Sequence, residues 1–239
     1  MVDQVEFADV IIVNKIDLIS QDEQDLLMAS LHKLNPVAKV ITAVKGKVDP
    51  SEILNTNLFN FEEAEVSAGW IQELEGIHTP ETEEYGITSF VYRNEKPFHP
   101  ERFWKLISND FPQTVIRSKG LFWMASRPDQ ALNWSQAGGS MKAEGAGVWR
   151  ASMPMAERMS FNNFTENQDI IEARWTAEFG DRLTELVMIG IKMDEKEVKE
   201  LLDSCICNET EIEQMQAGVF STEDLFQIPT QFAESFTEN

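Results

Sequence analysis

Residues Asp9–Ser20 read DVIIVNKIDLIS, and the organisation of the chain follows from how this stretch folds. Asp9 to Val13 is a short, unbroken run of mostly apolar residues rich in Val and Ile, which predicts a buried strand. Asn14-Lys15-Ile16-Asp17 follows the strand directly. Ser20 and Glu23 then form an S-x-x-E capping box ahead of a helix carrying Leu27, Leu31 and Leu34, and Asn35-Pro36 ends it. Lys39 to Val44 predicts a second apolar strand. Strand, helix and strand in this order form a βαβ unit, whose parallel strands need both faces and both neighbours covered.

Asn14, Lys15 and Asp17 have the residue types and spacing of a guanine-recognition loop. The Asp carboxylate accepts hydrogen bonds from the N1 and N2 donors of the base, a pair that adenine does not offer. The Asn side chain serves the other edge and the loop, and the Lys stem lies over the ring. Selectivity comes from charge-assisted bonds lost with the wrong base, each worth about 1.5–3 kcal/mol. The plain alternative is an ordinary surface turn after a strand. Phosphoryl transfer further requires a glycine-rich P-loop with its Lys, a Ser or Thr on magnesium, and a carboxylate holding that metal. No G-x-x-x-x-G-K-[ST] occurs in the 239 residues, and the glycines of GGSMKAEGAG (Gly138–Gly147) lack the spacing and the following helix. No catalytic residue is assigned, and this chain alone is expected not to hydrolyse GTP.

Further along, Asp49 to Asn55 predicts a short helix with Asp49 as N-cap, Pro50 at the first position and Glu52 three residues after the cap. Glu62 to Leu74 predicts another helix, with Trp70 in its later part. Glu73–Tyr85, ELEGIHTPETEEY, reads as an acidic linker with nothing to bury. Its His78, among Glu73, Glu75, Glu81, Glu83 and Glu84, is either an exposed unliganded imidazole or a transient divalent-ion contact. A second domain then begins with an alternating strand, Gly86 to Arg93. A helix follows from His99-Pro100 with Phe103, Leu106 and Ile107 inward, then a long strand from Thr114 to Ser126. A hairpin of Ala131–Ala137 and Met141–Trp149 turns at Gly138-Gly139. A helix around Asp169 to Glu178, a strand from Glu185 to Ile191 and a helix capped by Asp194 and Glu197 complete the pattern. The tail from Asn208 shows little periodicity and is expected to be held against the domain by Phe220 and Phe226. The divisions are therefore 1–72, linker 73–85, 86–207 and tail 208–239.

The 41 acidic and 20 basic residues leave a net charge of −21. Such a field repels phosphate backbones, so nucleic acid is not an expected partner. A solvated acidic surface is the plain reading; attraction of divalent cations is the other. The longest strongly apolar runs, such as Leu186–Ile191, are too short to span a bilayer. The residues after Met1 have neither a basic nor an apolar leader region, so no membrane association and a cytoplasmic location are expected. Cys205 and Cys207 could offer two thiolates to a metal, but Val198, Leu201, Leu202 and Cys205 also follow the spacing of one apolar helix stripe. No metal ligand is assigned. Five of the six tryptophans fall between Trp104 and Trp175, as a bulky core or as a ligand-stacking surface.

The succession NKID, LNPVAKVITAVKGKVD, GITSFVYRNEKPFHPERFWKLI, IRSKGLFWMASRPD and ARWTAEFGDRLTELVMIGI resembles the carboxy-terminal part of a CobW-like GTPase, from about Asp9 to Asn208. RSKGLFWMASRPD and EFGDR carry the resemblance more specifically than NKID. It implies an α/β remnant, the C-terminal part of a P-loop GTPase domain, followed by an α+β domain of the CobW C-terminal type. It also implies a zinc-type metallochaperone that uses GTP and magnesium in its full-length form, carries zinc or another divalent metal as cargo, and delivers it to a client metalloprotein. The family's P-loop, C-x-C-C metal motif and Walker B carboxylate lie upstream of NKxD and are missing here. The chain thus reads as such a protein without its first half, and tight binding of nucleotide or metal to this chain alone is not expected. Cys205-x-Cys207 is not the C-x-C-C motif. A different class remains open, a stand-alone, non-catalytic protein-binding module. Strands lacking their usual neighbours also make self-association through sheet edges an expectation.

Overall fold

The computed structural model describes residues 2–58, 71, 74, 86–158, 174–226 and 228. The chain divides into two compact units, residues 1–90 with 189–193, and 91–188 with 194–239. No helix among the described residues is long and apolar enough to cross a membrane.

The amino-terminal elements are α1 (Val2–Glu6), β1 (Val10–Asn14), α2 (Gln21–Leu34) and β2 (Lys39–Ala43). β1 and β2 run parallel, paired from Val10↔Lys39 to Asn14↔Ala43, so the predicted βαβ unit is present. The capping box is formed in both directions. Ser20 Oγ accepts the Glu23 N–H at 3.3 Å and a Glu23 carboxylate oxygen accepts the Ser20 N–H at 2.8 Å. Asn35 does more than end α2. Its buried amide donates to the carbonyls of Val5 and Ala8 at 2.8 and 2.9 Å, and its side-chain oxygen accepts from Ala38 N–H at 3.0 Å. One residue thus ties the end of α2 to the start of β1.

The helix expected over Asp49–Asn55 is instead a single 3-10 turn, Pro50–Glu52. Asp49 caps it as predicted, accepting from Ser51 N–H at 2.9 Å. Glu52 pairs with Lys39, and beyond the turn Asn55 and Asn57 take positive φ, which a helix does not accommodate. The helix expected over Glu62–Leu74 and the acidic linker lie outside the described residues, apart from Ile71 and Leu74, which are helical.

The carboxy-terminal elements are β3 (Ile87–Asn94), α3 (Pro100–Lys105), β4 (Val115–Phe122), β5 (Gln130–Ala137), β6 (Ser140–Val148), α4 (Met155–Arg158), β7 (Thr184–Ile191), α5 (Glu195–Asp203) and α6 (Glu209–Gln216). Their strands form one five-stranded sheet in the order β3-β7-β4-β5-β6. β5 pairs antiparallel with both β4 and β6, and Ala137↔Ser140 closes the hairpin on Gly138-Gly139. Gly120 is where β4 can lie against its neighbour. Its φ is +148° and a Cβ there would stand 2.0 Å from the Glu185 carbonyl oxygen. On one side of the core Phe98 stacks on Phe103 at 4.3 Å, and Phe103 meets Trp134 at 5.6 Å. Trp123, Trp149, Phe179, Cys207 and Ile212 form a further buried cluster.

Three expectations are corrected. The strand predicted over Thr114–Ser126 ends at Phe122, after which Met124 makes only an isolated bridge to Phe98. Arg174–Glu178 is not helical, because Thr176 and Gly180 exchange backbone hydrogen bonds of 2.9 and 3.0 Å that close a tight loop. Residues 169–173 of that expected helix lie outside the described residues. The tail is more regular than expected: Asn208 and Glu211 form a second capping box and start α6. After α3, a π-helical turn at Leu106–Asp110 also went unforeseen.

Candidate functional site

β1 delivers Asn14 to the carboxyl end of a parallel strand pair, the edge at which open α/β sheets hold their ligands. Lys15 then takes a left-handed conformation, φ 63° and ψ 32°, which turns the chain out of the strand. Leu18 N–H closes the turn on the Lys15 carbonyl at 3.0 Å. The loop is anchored from α2, where the Gln24 amide donates to the carbonyls of Ile16 and Ile19 at 3.0 and 3.2 Å. Half-buried Ile16 points the loop's apolar weight inward, and Asn14, Lys15 and Asp17 are left exposed. Asp17 has no hydrogen-bond or ion-pair partner among the described residues. Its carboxylate is an uncommitted double acceptor.

The structure adds a partner that the sequence reading missed. Asn14 Oδ1 accepts the Gly46 N–H at 2.9 Å, which joins the NKID loop to the turn after β2. That turn reverses through two residues of positive φ, Lys45 at 52° and Gly46 at 69°, and Lys47 N–H returns to the Val44 carbonyl at 3.2 Å. The signal was available: parallel neighbours end side by side, so a Lys-Gly turn after β2 must lie beside whatever follows β1. The donor set suits a base edge, with an acceptor carboxylate, an amide and a cationic stem. The described residues hold no three His, Cys, Asp or Glu side chains grouped to bind a metal ion.

Cys205 and Cys207 are both buried. Cys205 lies just beyond α5, continuing the buried line of Val198 and Leu202. Burial pushes its thiol up, and burial with the neighbouring Glu211 carboxylate pushes Cys207 up to about 12. In both cases burial, the first cause, favours the neutral thiol over the thiolate.

The two most distinctive phrases of the carboxy-terminal domain turn out to be structural joints. In EFGDR, Phe179 packs edge-on to Trp123 at 5.6 Å. Gly180, with φ +68°, sits where a Cβ would fall 2.4 Å from that of Ala151. The Asp181 carboxylate accepts the N–H groups of Arg150 and Ala151 at 2.9 and 2.8 Å. Arg182 donates to Pro128 O, Phe179 O and Ser152 Oγ at 2.6, 3.0 and 2.7 Å, and covers the Trp123 ring. Beside this joint opens a cavity of about 920 Å³ lined by Arg93, Lys96, Trp149, Arg174, Phe179 and Glu185 among others.

A parallel βαβ unit with an exposed Asn-Lys-Ile-Asp loop after β1 is thus joined in sequence to a domain built on a five-stranded sheet. The description "CobW/HypB/UreG, nucleotide-binding domain" matches residues 1–42, and "Cobalamin synthesis protein cobW C-terminal domain" matches residues 87–206, half of the chain. The chain belongs to the CobW family. It is 37% identical over 215 residues to "Zinc-regulated GTPase metalloprotein activator 1" of Dictyostelium discoideum, covering 89% of this chain and 44% of that protein. A zinc chaperone of Mycobacterium tuberculosis is 26% identical over 213 residues, 88% of this chain and 50% of its own length. The zinc chaperone YjiA of Escherichia coli is 24% identical over 201 residues, 82% and 51%. This chain spans about half the length of the curated relatives it matches. The solved structure of Zn(II)-bound YjiA GTPase aligns with 86% of this chain and 54% of its own, at 22% identity and a TM-score of 0.40, too loosely to carry an argument.

Proposed function

We propose that this chain supplies the guanine-recognition end of the nucleotide site, and the C-terminal domain, of a GTP-dependent zinc-type metallochaperone. The observation that carries this is the exposed, uncommitted Asp17 on a loop braced at both ends, inside the stretch matched by the nucleotide-binding domain. Asp17 accepts N1–H and N2–H of guanine. Asn14 spends its oxygen on Gly46 and keeps its amide for the other edge of the base, while the Lys15 stem covers the ring. GTP, when bound with magnesium, supplies the phosphoryl chemistry, and the residues here fix which base is admitted. Zinc is the cargo and a client metalloprotein the recipient, in keeping with the names of the relatives. The C-terminal domain serves client docking or regulation.

The test joins this chain in frame behind the amino-terminal portion of the Dictyostelium relative and measures GTP and ATP turnover. Two charged hydrogen bonds predict a GTP preference on the order of a hundredfold, reduced about tenfold or more by Asp17→Ala. An unchanged preference in that variant overturns the pocket assignment. A second reading, a binding module that acts without nucleotide, draws on the concentration of buried core residues after residue 86. It requires the isolated chain to retain its client in the absence of GTP.

A further inference from the structure

The match to the CobW C-terminal domain ends at residue 206, and α6 ends at Gln216. Beyond them, Val219 to Phe226 crosses the domain without forming helix or strand. What holds this strap is a small set of side chains from within the matched domain. Arg127 does most of it. Its Nε donates to the Asp224 carboxylate at 2.6 Å, and its two terminal nitrogens donate to the backbone carbonyls of Ile228 and Phe226 at 2.6 and 2.9 Å. Ser126 Oγ donates to the same Asp224 oxygen at 2.8 Å. The Glu101 carboxylate accepts the Thr222 hydroxyl at 2.5 Å and the Glu223 N–H at 3.2 Å.

Between these polar contacts, Phe226 enters an aromatic slot. Its ring stacks on Phe103 at 5.9 Å, meets Trp104 edge-on at 5.0 Å and lies 6.3 Å from Phe122. Phe226 and Ile228 are 4% and 7% exposed, whereas Leu225 is 36% exposed, so inward and outward residues alternate as they do along an extended peptide. A guanidinium that reads two main-chain carbonyls and one carboxylate recognises backbone shape and a charge. It asks little of the residues between. This is how grooves bind linear peptides, with main-chain bonds for affinity and alternate pockets for specificity. A cavity of about 360 Å³ lies between the strap and Ser126 and Arg127, the rest of its lining being the tail's own Phe220, Ser221, Thr222 and Asp224. The receiving residues belong to the family domain, and the occupant lies outside the matched stretch.

We infer that the groove of Phe103, Trp104, Phe122, Ser126 and Arg127 is a docking site for an extended partner segment of the pattern acidic-x-aromatic-x-aliphatic, which this chain's own tail occupies in cis as a competing ligand. The inference does not depend on the guanine site. The tail's register, Asp224, Phe226 and Ile228, defines the chemistry that a partner must present.

The probe is a fluorescein-labelled peptide with the sequence of Thr222–Ile228, followed by anisotropy against the full chain. The double substitution Asp224→Ala with Phe226→Ala empties the groove. It should bind the probe at least about tenfold more tightly than the unmodified chain, whose groove is rarely open. Adding Arg127→Ala should remove most of that gain. A double variant that melts cooperatively yet binds no better than the unmodified chain overturns the inference. If the double variant fails to fold, a protease site inserted after Gly218 and cut in the folded chain replaces it. The labelled peptide should then displace the severed tail, and retention of the tail against about a hundredfold excess of peptide is equally fatal. Concentration-dependent dimers formed by tail exchange would put a second copy's tail in the groove and overturn the assignment to a partner segment.

Discussion

β1 and β7 read alike in the sequence, as short runs of Val, Ile and Leu, yet they meet different surroundings. In β7 six of the eight residues are buried; in β1 none is, and β2 buries only Ala43. Ile12, in the middle of β1, is 43% exposed, and Phe7, Leu18 and Val44 are likewise open. A parallel pair of this composition is stable when both faces are covered. The carboxy-terminal sheet has its cover in α3, α5 and the aromatic core, whereas the described amino-terminal residues leave apolar surface available to other parts of a protein or to another chain. Similar apolar runs are therefore core in one place and partly exposed surface in the other.

The contrast is sharpest at two glycines. Gly120→Ala drives a Cβ into the Glu185 carbonyl and should cost about 3 kcal/mol or more, read as a large fall in the urea midpoint. Gly46→Ala has open space around it and only its positive φ to suffer, so about 1 kcal/mol is expected, confined to the loop beside Asn14. Equal losses at the two sites would break the comparison. Comparable to the Gly120 loss, Phe103→Ala should destabilise the domain by about 3–5 kcal/mol in thermal or urea unfolding. Ile12→Ser should leave unfolding within about 1 kcal/mol of the parent but lower self-association in sedimentation velocity. A monomeric parent would remove the stickiness from the argument.

A smaller, pH-dependent effect tests how α6 is held. Glu211 receives two Arg102 hydrogen bonds of 2.8 and 2.7 Å and one from Asn208 N–H. Arg102, first among these causes, brings the Glu211 carboxyl down from 4.5 to about 2. A depressed folded value means stability that is complete above the unfolded value and is lost as the pH falls through the folded one. Arg102→Ala should therefore cost about 2 kcal/mol at neutral pH, with the gap to the parent closing between pH 4.5 and 2. A gap independent of pH would assign the cost to packing instead. As local as the Gly46 effect, Asn14→Ala should cost about 1 kcal/mol, visible as faster amide exchange at Gly46 rather than as a shift of global unfolding.

Much of this was legible because local chemistry and tertiary environment agreed. Ser20 and Glu23, the Asn35-Pro36 stop, Pro100 at the head of α3 and the Gly138-Gly139 hairpin are all decided within a few residues. The failures have one physical character. The Asp49 cap started a single turn that is followed by positive-φ residues Asn55 and Asn57, and Arg174–Glu178 looked helical until Thr176 found Gly180. Asn208-x-x-Glu211 was a readable box passed over because the following residues lack a strong apolar stripe. At the candidate site the turn that follows β1 at Asn14 was readable, whereas the Gly46 contact needed the knowledge that two parallel strands end together. EFGDR and RSKGLFWMASRPD were recognisable as phrases, but that they meet around Trp123, through Phe179 and through Arg182 bonded to the Pro128 carbonyl, follows only from the fold.

The two protonated, enclosed thiols also give the chain a built-in gauge of its own integrity. With Cys205 and Cys207 both buried and free, an alkylating dye should label the native chain at the rate of its opening rather than of the chemistry. Both thiols lie where α5 meets α6, so labelling by mass would time the release of that corner residue by residue.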